Sequence, residues 1–99
     1  KGDGMAYKGM HNPPTPGELL REYLGERSIS DLAAHIGVAR ATVSRILNGH
    51  TGVTADMSIR LGQALGVSEE FFATVQLKRD MWVASQAWKT PIKPLAIAS

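Results

Sequence analysis

From Ser30 to Gly49 the chain reads SDLAAHIGVARATVSRILNG. The apolar positions Leu32, Ala33, Ile36, Val38, Val43, Ile46 and Leu47 recur at helical spacing. Gly37 interrupts that run and is a poor residue for the middle of one continuous helix. The pattern therefore predicts two short helices hinged at Gly37. One runs from about Ser30 to Ile36, the other from about Arg40 to Asn48, where Asn48-Gly49 forms a stop signal. A short helix, a tight turn containing glycine and a second short helix make a helix-turn-helix, whose second helix can enter a DNA major groove.

The flanking segments carry the same periodicity. Thr15-Pro16-Gly17-Glu18 reads as a helix start, with Thr15 as cap, Pro16 at the first position and Glu18 reaching back to close a capping box. The helix that follows, to about Glu26, places Leu19, Leu20, Tyr23 and Leu24 on one side. Two serines compete to cap the next helix. Ser28 offers a capping box with Asp31, whereas Ser30 leaves Ile29 just before the cap as a hydrophobic staple, and Ser30 is the preferred reading. Thr54 caps a fourth helix with Asp56 in its first turn, an inner stripe of Met57, Leu61, Ala64 and Leu65, and Gly66 at its end. Ser68 is expected to cap the last long helix, with Glu69 and Glu70 in its first turn. The apolar residues of this helix, Phe71, Phe72, Val75, Leu77, Met81, Trp82, Ala84 and Trp88, cover more than one face. That surplus points to a partner surface, most simply a second copy of the chain; the competing reading is that large aromatics close the end of a small core.

The ends read differently. Residues 1–14 form a flexible polar lead-in, in which residues 1–4 read as an appended remnant ahead of Met5 and Asn12-Pro13-Pro14 favours extended backbone. The helical domain spans 15–88. From Lys89 to Ser99, Pro91 and Pro94 stop the helix, and the tail carries Ile92, Leu95 and Ile97, apolar enough either to drape over the last helix or to dock on a partner, with a disordered end as the alternative.

With Val43, Ile46 and Leu47 turned inward, the second helix of the motif presents Arg40, Ala41, Ser44 and Arg45 outward, with Thr42 at its flank. Arginine can bond guanine bidentately, serine can bond a base or phosphate, and alanine lets the backbone approach or touches a thymine methyl. No acidic residue lies between Gly37 and Asp56. The amides at the Ser30 helix start and the side chain of His50 are placed to meet backbone phosphate. The plainer alternative is ordinary three-helix packing with two solvated arginines.

Composition changes this picture little. The 99 residues are 43% hydrophobic with a net charge of +2, enough for one small core and permissive of nucleic acid without demanding it. The absence of cysteine excludes disulfides and cysteine-ligated zinc. No apolar run is long enough for a membrane span and no signal-peptide pattern is present, so the expected location is the cytoplasm. His11, His35 and His50 are scattered, Glu22 and Glu26 form a solvated helix face, and no catalytic, metal or cofactor motif appears; an enzyme is not expected.

Three segments in combination carry a family resemblance: Asn12 to Leu24 (NPPTPGELLREYL), Gly37 to Gly49 (GVARATVSRILNG), and Val53 to Met57 (VTADM) with Leu65 to Ser68. Together they resemble the HigA/VapI antitoxins of the Xre (phage Cro/C1-type) helix-turn-helix family, over roughly Asn12 to Trp82. The resemblance implies an all-α, compact five-helix, lambda-repressor-like DNA-binding domain. It implies a homodimer that represses its own operon on double-stranded operator DNA and neutralises a RelE/HigB-like toxin that cleaves messenger RNA on the ribosome. Arg40, Ala41, Ser44 and Arg45 match the family's major-groove positions, and Thr42 and Asn48 match positions near the backbone. Gln76, Asp80 and Trp82 match the last helix, which in relatives helps to form the dimer; with Phe72 and Arg79 they make up the expected dimer interface. The chain departs from the family pattern in having Thr15 where histidine is common, Ala39 in place of the serine that caps the reader helix, a junction after Leu24 shorter by about two residues, and Phe72-Ala73 for a Trp-Leu pair. A stand-alone transcriptional regulator of the same family, without a toxin, is the alternative function; a purely structural interaction module is the third.

Overall fold

The computed structural model describes residues 11–96. The expectations for residues 1–10 and for Ile97 lie outside the described residues. Five α-helices follow in order: α1 Pro16–Leu24, α2 Ile29–Ile36, α3 Arg40–Leu47, α4 Ala55–Leu65 and α5 Phe71–Ala87. The fold is the all-α, five-helix, lambda-repressor-like arrangement that the sequence led us to expect.

Local chemistry sets most of the helix ends. The Thr15 hydroxyl accepts from the Glu18 amide at 3.1 Å and the Glu18 carboxylate accepts from the Thr15 amide at 3.1 Å, a complete capping box. Thr54 caps α4 by accepting from the Met57 amide at 3.1 Å. Gly37 ends α2 at φ 77, a left-handed conformation that a side chain would strain, so the chain can turn sharply into α3. The first helix ends at Leu24, earlier than Glu26, because Gly25 takes φ 60 and terminates it.

Two helix starts differ from the sequence expectation. Ser28, rather than Ser30, caps α2, accepting from the Asp31 amide at 2.9 Å. Ser30 is an exposed residue within the first turn. Ile29 is consequently the first helical residue, and it still packs on the core. The last helix begins at Phe71, with Glu69 and Glu70 in the turn before it, and Ser68 contributes only its carbonyl, 3.1 Å from the Phe71 amide. The cap of α5 comes from another helix. Ser58 of α4, almost fully buried, accepts from the Ala73 amide at 2.9 Å and donates to the Glu69 carbonyl at 2.6 Å. One hydroxyl thus satisfies a donor and an acceptor at a buried helix start.

The core gathers Leu20 and Leu24 of α1, Leu32, Ala33 and Ile36 of α2, Val43, Ile46 and Leu47 of α3, Val53 of the loop, Met57 and Leu61 of α4, and Phe72 of α5. Helices α1 and α2 both pack on α3, while α4 rests on α2 and α5. Helix α3 is thereby buried along one side and open along the other. Tyr23, on the expected inner stripe of α1, is instead exposed at the rim, edge-on to Phe71 and Phe72 with ring centroids 5.9 and 6.0 Å away.

Candidate nucleic-acid interface

The open side of α3 is built by subtraction. Val43, Ile46 and Leu47 are buried, which leaves Arg40, Ala41 and Arg45 exposed and Thr42 and Ser44 half-buried at the flanks. The helix starts at Ala39, which has the extended backbone of a cap (φ −70, ψ 146) but no side-chain hydrogen bond to offer. Its first-turn amides therefore lack the hydroxyl that Thr15, Ser28 and Thr54 supply elsewhere in the fold.

Neighbouring helices hold the turn into α3 and its far end. At the turn into it, Arg60 of α4 donates to the Ile36 carbonyl at 2.6 Å and to the Asp56 carboxylate at 2.8 Å, fixing the end of α2 next to Gly37. At its far end, α1 presses Gly17 against the carbonyls of Ile46 and Leu47. One turn further along α1, Arg21 donates to the Leu47 carbonyl at 3.3 Å and to the Asn48 side-chain oxygen at 3.4 Å. The Asn48 amide in turn donates to the Ser44 hydroxyl at 3.4 Å. A cation at the C-terminal end of a helix is favoured by the helix dipole and by the unpaired last carbonyls.

Arg21 is the residue that sequence reading missed. It is separated from Leu47 by 26 positions, and only the packing of α1 on α3 joins them. It brings a third arginine to the C-terminal end of α3, and no acidic residue lies between Gly37 and Asp56. His50 is exposed just beyond the helix, and its backbone amide donates to the Arg45 carbonyl at 2.8 Å, which ties the loop to α3. Ser30 is exposed at the start of α2, and His35 is exposed at its far end.

The residues expected at a dimer contact separate into two groups. Phe72 is fully buried, with its ring 5.0 Å from Phe71 in an edge arrangement, so it belongs to the core and offers no surface to a second chain. Phe72 is therefore a core residue and not, as expected from the sequence, part of a dimer contact, because the spread of apolar residues around α5 does not reveal which face turns inward. Gln76, Arg79, Asp80 and Trp82 remain half-buried or exposed. Within the chain, Gln76 accepts from the Val53 amide at 2.9 Å and donates to Asp80 at 2.9 Å. Arg79 donates to the Asn12 side chain and, at 3.0 Å, to the Pro13 carbonyl, with its guanidinium 5.4 Å from the Trp82 ring centre. These side chains thus bind the α3–α4 loop and the lead-in to α5. Leu77 and Met81 are exposed on a stripe of α5 opposite Phe72, and Trp88, just past the end of the helix, is exposed as well.

Among the described residues no group of three or more His, Cys, Asp or Glu side chains could hold a metal ion, and no helix is long and apolar enough to cross a membrane.

This arrangement is shared with known proteins. A family described as Helix-turn-helix matches residues 18–72. Antitoxin HigA-1 of Vibrio cholerae is 34% identical over 97 residues, covering 92% of this chain and 91% of its own length. The structure of antitoxin GraA superposes with a TM-score of 0.73 at 40% identity, covering 78% of this chain and 86% of that one. The Pseudomonas aeruginosa antitoxin HigA, solved with the higBA promoter, gives a TM-score of 0.72 at 37% identity, over 76% of this chain and 85% of that one. With the fold, the helix-turn-helix match and near full-length similarity in common, the chain belongs to the HigA-type antitoxin family of helix-turn-helix proteins, which are DNA-binding regulators rather than enzymes.

Proposed function

We propose that the chain is a cytoplasmic antitoxin. In this reading it acts as a two-fold dimer, binds a palindromic operator through α3, represses its own toxin–antitoxin operon and neutralises a RelE/HigB-like messenger-RNA-cleaving toxin by direct contact. The observation that carries the reading is the open face of α3, where Arg40, Ala41 and Arg45 are exposed on a helix that Arg21 grips at its C-terminal end and whose leading turn Arg60 fixes through the end of α2. The relative HigA was solved with a promoter, which supports promoter DNA as the partner here.

In this reading Arg40, Ala41, Ser44 and Arg45 meet base edges, and Ser30, Thr42, Asn48 and His50 meet the phosphate backbone. A single small domain reads only a few base pairs; two-fold pairing doubles the contacts and makes the target palindromic. The stripe of Leu77 and Met81, together with Gln76, Arg79, Asp80, Trp82 and Trp88, supplies the surface for that pairing. The tail, where Ile92 and Leu95 are 76% and 82% exposed, is the segment best suited to order on a toxin.

Co-expression with the product of the adjacent gene tests the reading. A co-purifying complex and restored growth are expected, together with retention of the chain on its own promoter. Promoter binding without a complex or rescue would favour the stand-alone regulator; a complex without DNA binding would favour an interaction module.

A further inference from the structure

The bonds that join Arg21, Asn48 and Ser44 have a direction. A guanidinium can only donate, so the Asn48 side chain must turn its oxygen toward Arg21. Its NH2 group then faces Ser44, which accepts at Oγ. The Ser44 hydroxyl has one proton, and with a lone pair already engaged by Asn48 that proton is free to point elsewhere. Ser44 lies on the flank of the open face of α3, between Arg40 and Arg45.

We propose that Arg21 is a positioning residue for DNA reading: by orienting Asn48 it makes Ser44 a hydrogen-bond donor to a purine N7 in the major groove. This rests on the operator-binding reading of α3 and adds to it a residue that touches no DNA. The major-groove acceptors open to a donating serine are the N7 of either purine, guanine O6 and thymine O4, of which N7 alone is common to both purines, whereas cytosine N4 and adenine N6 are donors that it cannot read. The main competitor for the proton is the backbone carbonyl one turn earlier, which helical serines often use. The relay bonds of 3.3–3.4 Å are at the long end of the range, so the effect on binding belongs at the lower end for one hydrogen bond, about threefold to tenfold.

The test replaces each purine of the protected promoter half-site in turn with its 7-deaza analogue, which lacks the N7 acceptor and keeps the Watson–Crick edge. Affinities are measured for the wild-type protein, Ser44→Ala and Arg21→Gln, with circular dichroism and thermal melting confirming that each variant is folded. At one position the deaza base should weaken wild-type binding by about threefold to tenfold, while both variants bind the natural and deaza duplexes alike. A merely structural role for Arg21 would lower affinity for both duplexes equally and leave their ratio at the wild-type value, which would overturn the proposal. So would a wild-type protein indifferent to every deaza position, or a Ser44→Ala variant that keeps the sensitivity. Absence of wild-type binding to the natural promoter would instead overturn the operator reading itself, and this proposal with it.

Discussion

Gly17 of α1 lies so close to Ile46 of α3 that a Cβ on it would stand 2.2 Å from the Ile46 carbonyl oxygen and 3.0 Å from that of Leu47. The obstacle is backbone at the end of the reader helix, which cannot swing aside as a side chain would. Gly17→Ala should therefore force α1 away from α3 and destabilise the fold by about 1–3 kcal/mol. Because Arg21 sits on the same face one turn later, its grip on Leu47 and Asn48 should loosen as well. Urea unfolding checks the first effect and operator affinity of the folded fraction the second; wild-type stability would show that the close approach is not maintained in solution.

Ala39 offers the opposite opportunity. It already has cap geometry and is exposed, but it leaves the first turn of α3 without a side-chain acceptor. Ala39→Ser should stabilise the protein by about 0.5–2 kcal/mol, read as a higher denaturation midpoint with an unchanged slope. No gain would mean that another group already satisfies those amides.

The two serines before α2 make a paired comparison. Ser28→Ala removes the acceptor of the Asp31 amide and should cost about 1 kcal/mol. Ser30→Ala alters an exposed side chain in the first turn and should change stability by no more than about 0.5 kcal/mol. The reverse order would restore Ser30 as the cap.

What the sequence disclosed and what it withheld divide along chain separation. The Thr15–Glu18 box, the Gly37 turn and the Thr54 cap each depend on residues within about one helical turn, and all are present as read. The choice between Ser28 and Ser30 failed because both satisfy the same local rule, and the burial of Ile29 does not discriminate between them, since Ile29 packs on the core with Ser28 as the cap. Ser58 as the cap of α5 and Arg21 as the clamp of α3 were invisible, since their partners stand 15 and 26 positions away. The same limit explains Phe72: hydrophobicity marked it as buried by something, and only the packing shows that its partners are Phe71 and Tyr23 of its own chain.

That distinction separates two substitutions on α5. Phe72→Ala should cost about 3–5 kcal/mol, a large share of the total for a domain of this size, because it empties a fully buried site. Leu77→Lys combined with Met81→Lys alters exposed positions, so helicity at high dilution should be unchanged, whereas light scattering at micromolar concentration should fall from twice the chain mass to one. A double variant that stays dimeric would move the contact away from this stripe.

Helix α3 is the proposed reader of sequence, and one measurement addresses that role directly. Binding of the wild-type protein, Arg40→Ala and Arg45→Ala to the promoter duplex and to a scrambled duplex should be followed over a series of salt concentrations. The wild type should prefer the promoter. If both arginines meet guanine, each alanine variant should lose about 1–3 kcal/mol on the promoter and much less on the scrambled duplex, with circular dichroism unchanged. An arginine that contacts only phosphate would weaken both duplexes alike and lower the salt slope by about one ion. Wild-type affinity of both variants for the promoter at every salt concentration would contradict the assignment of α3 as the DNA reader.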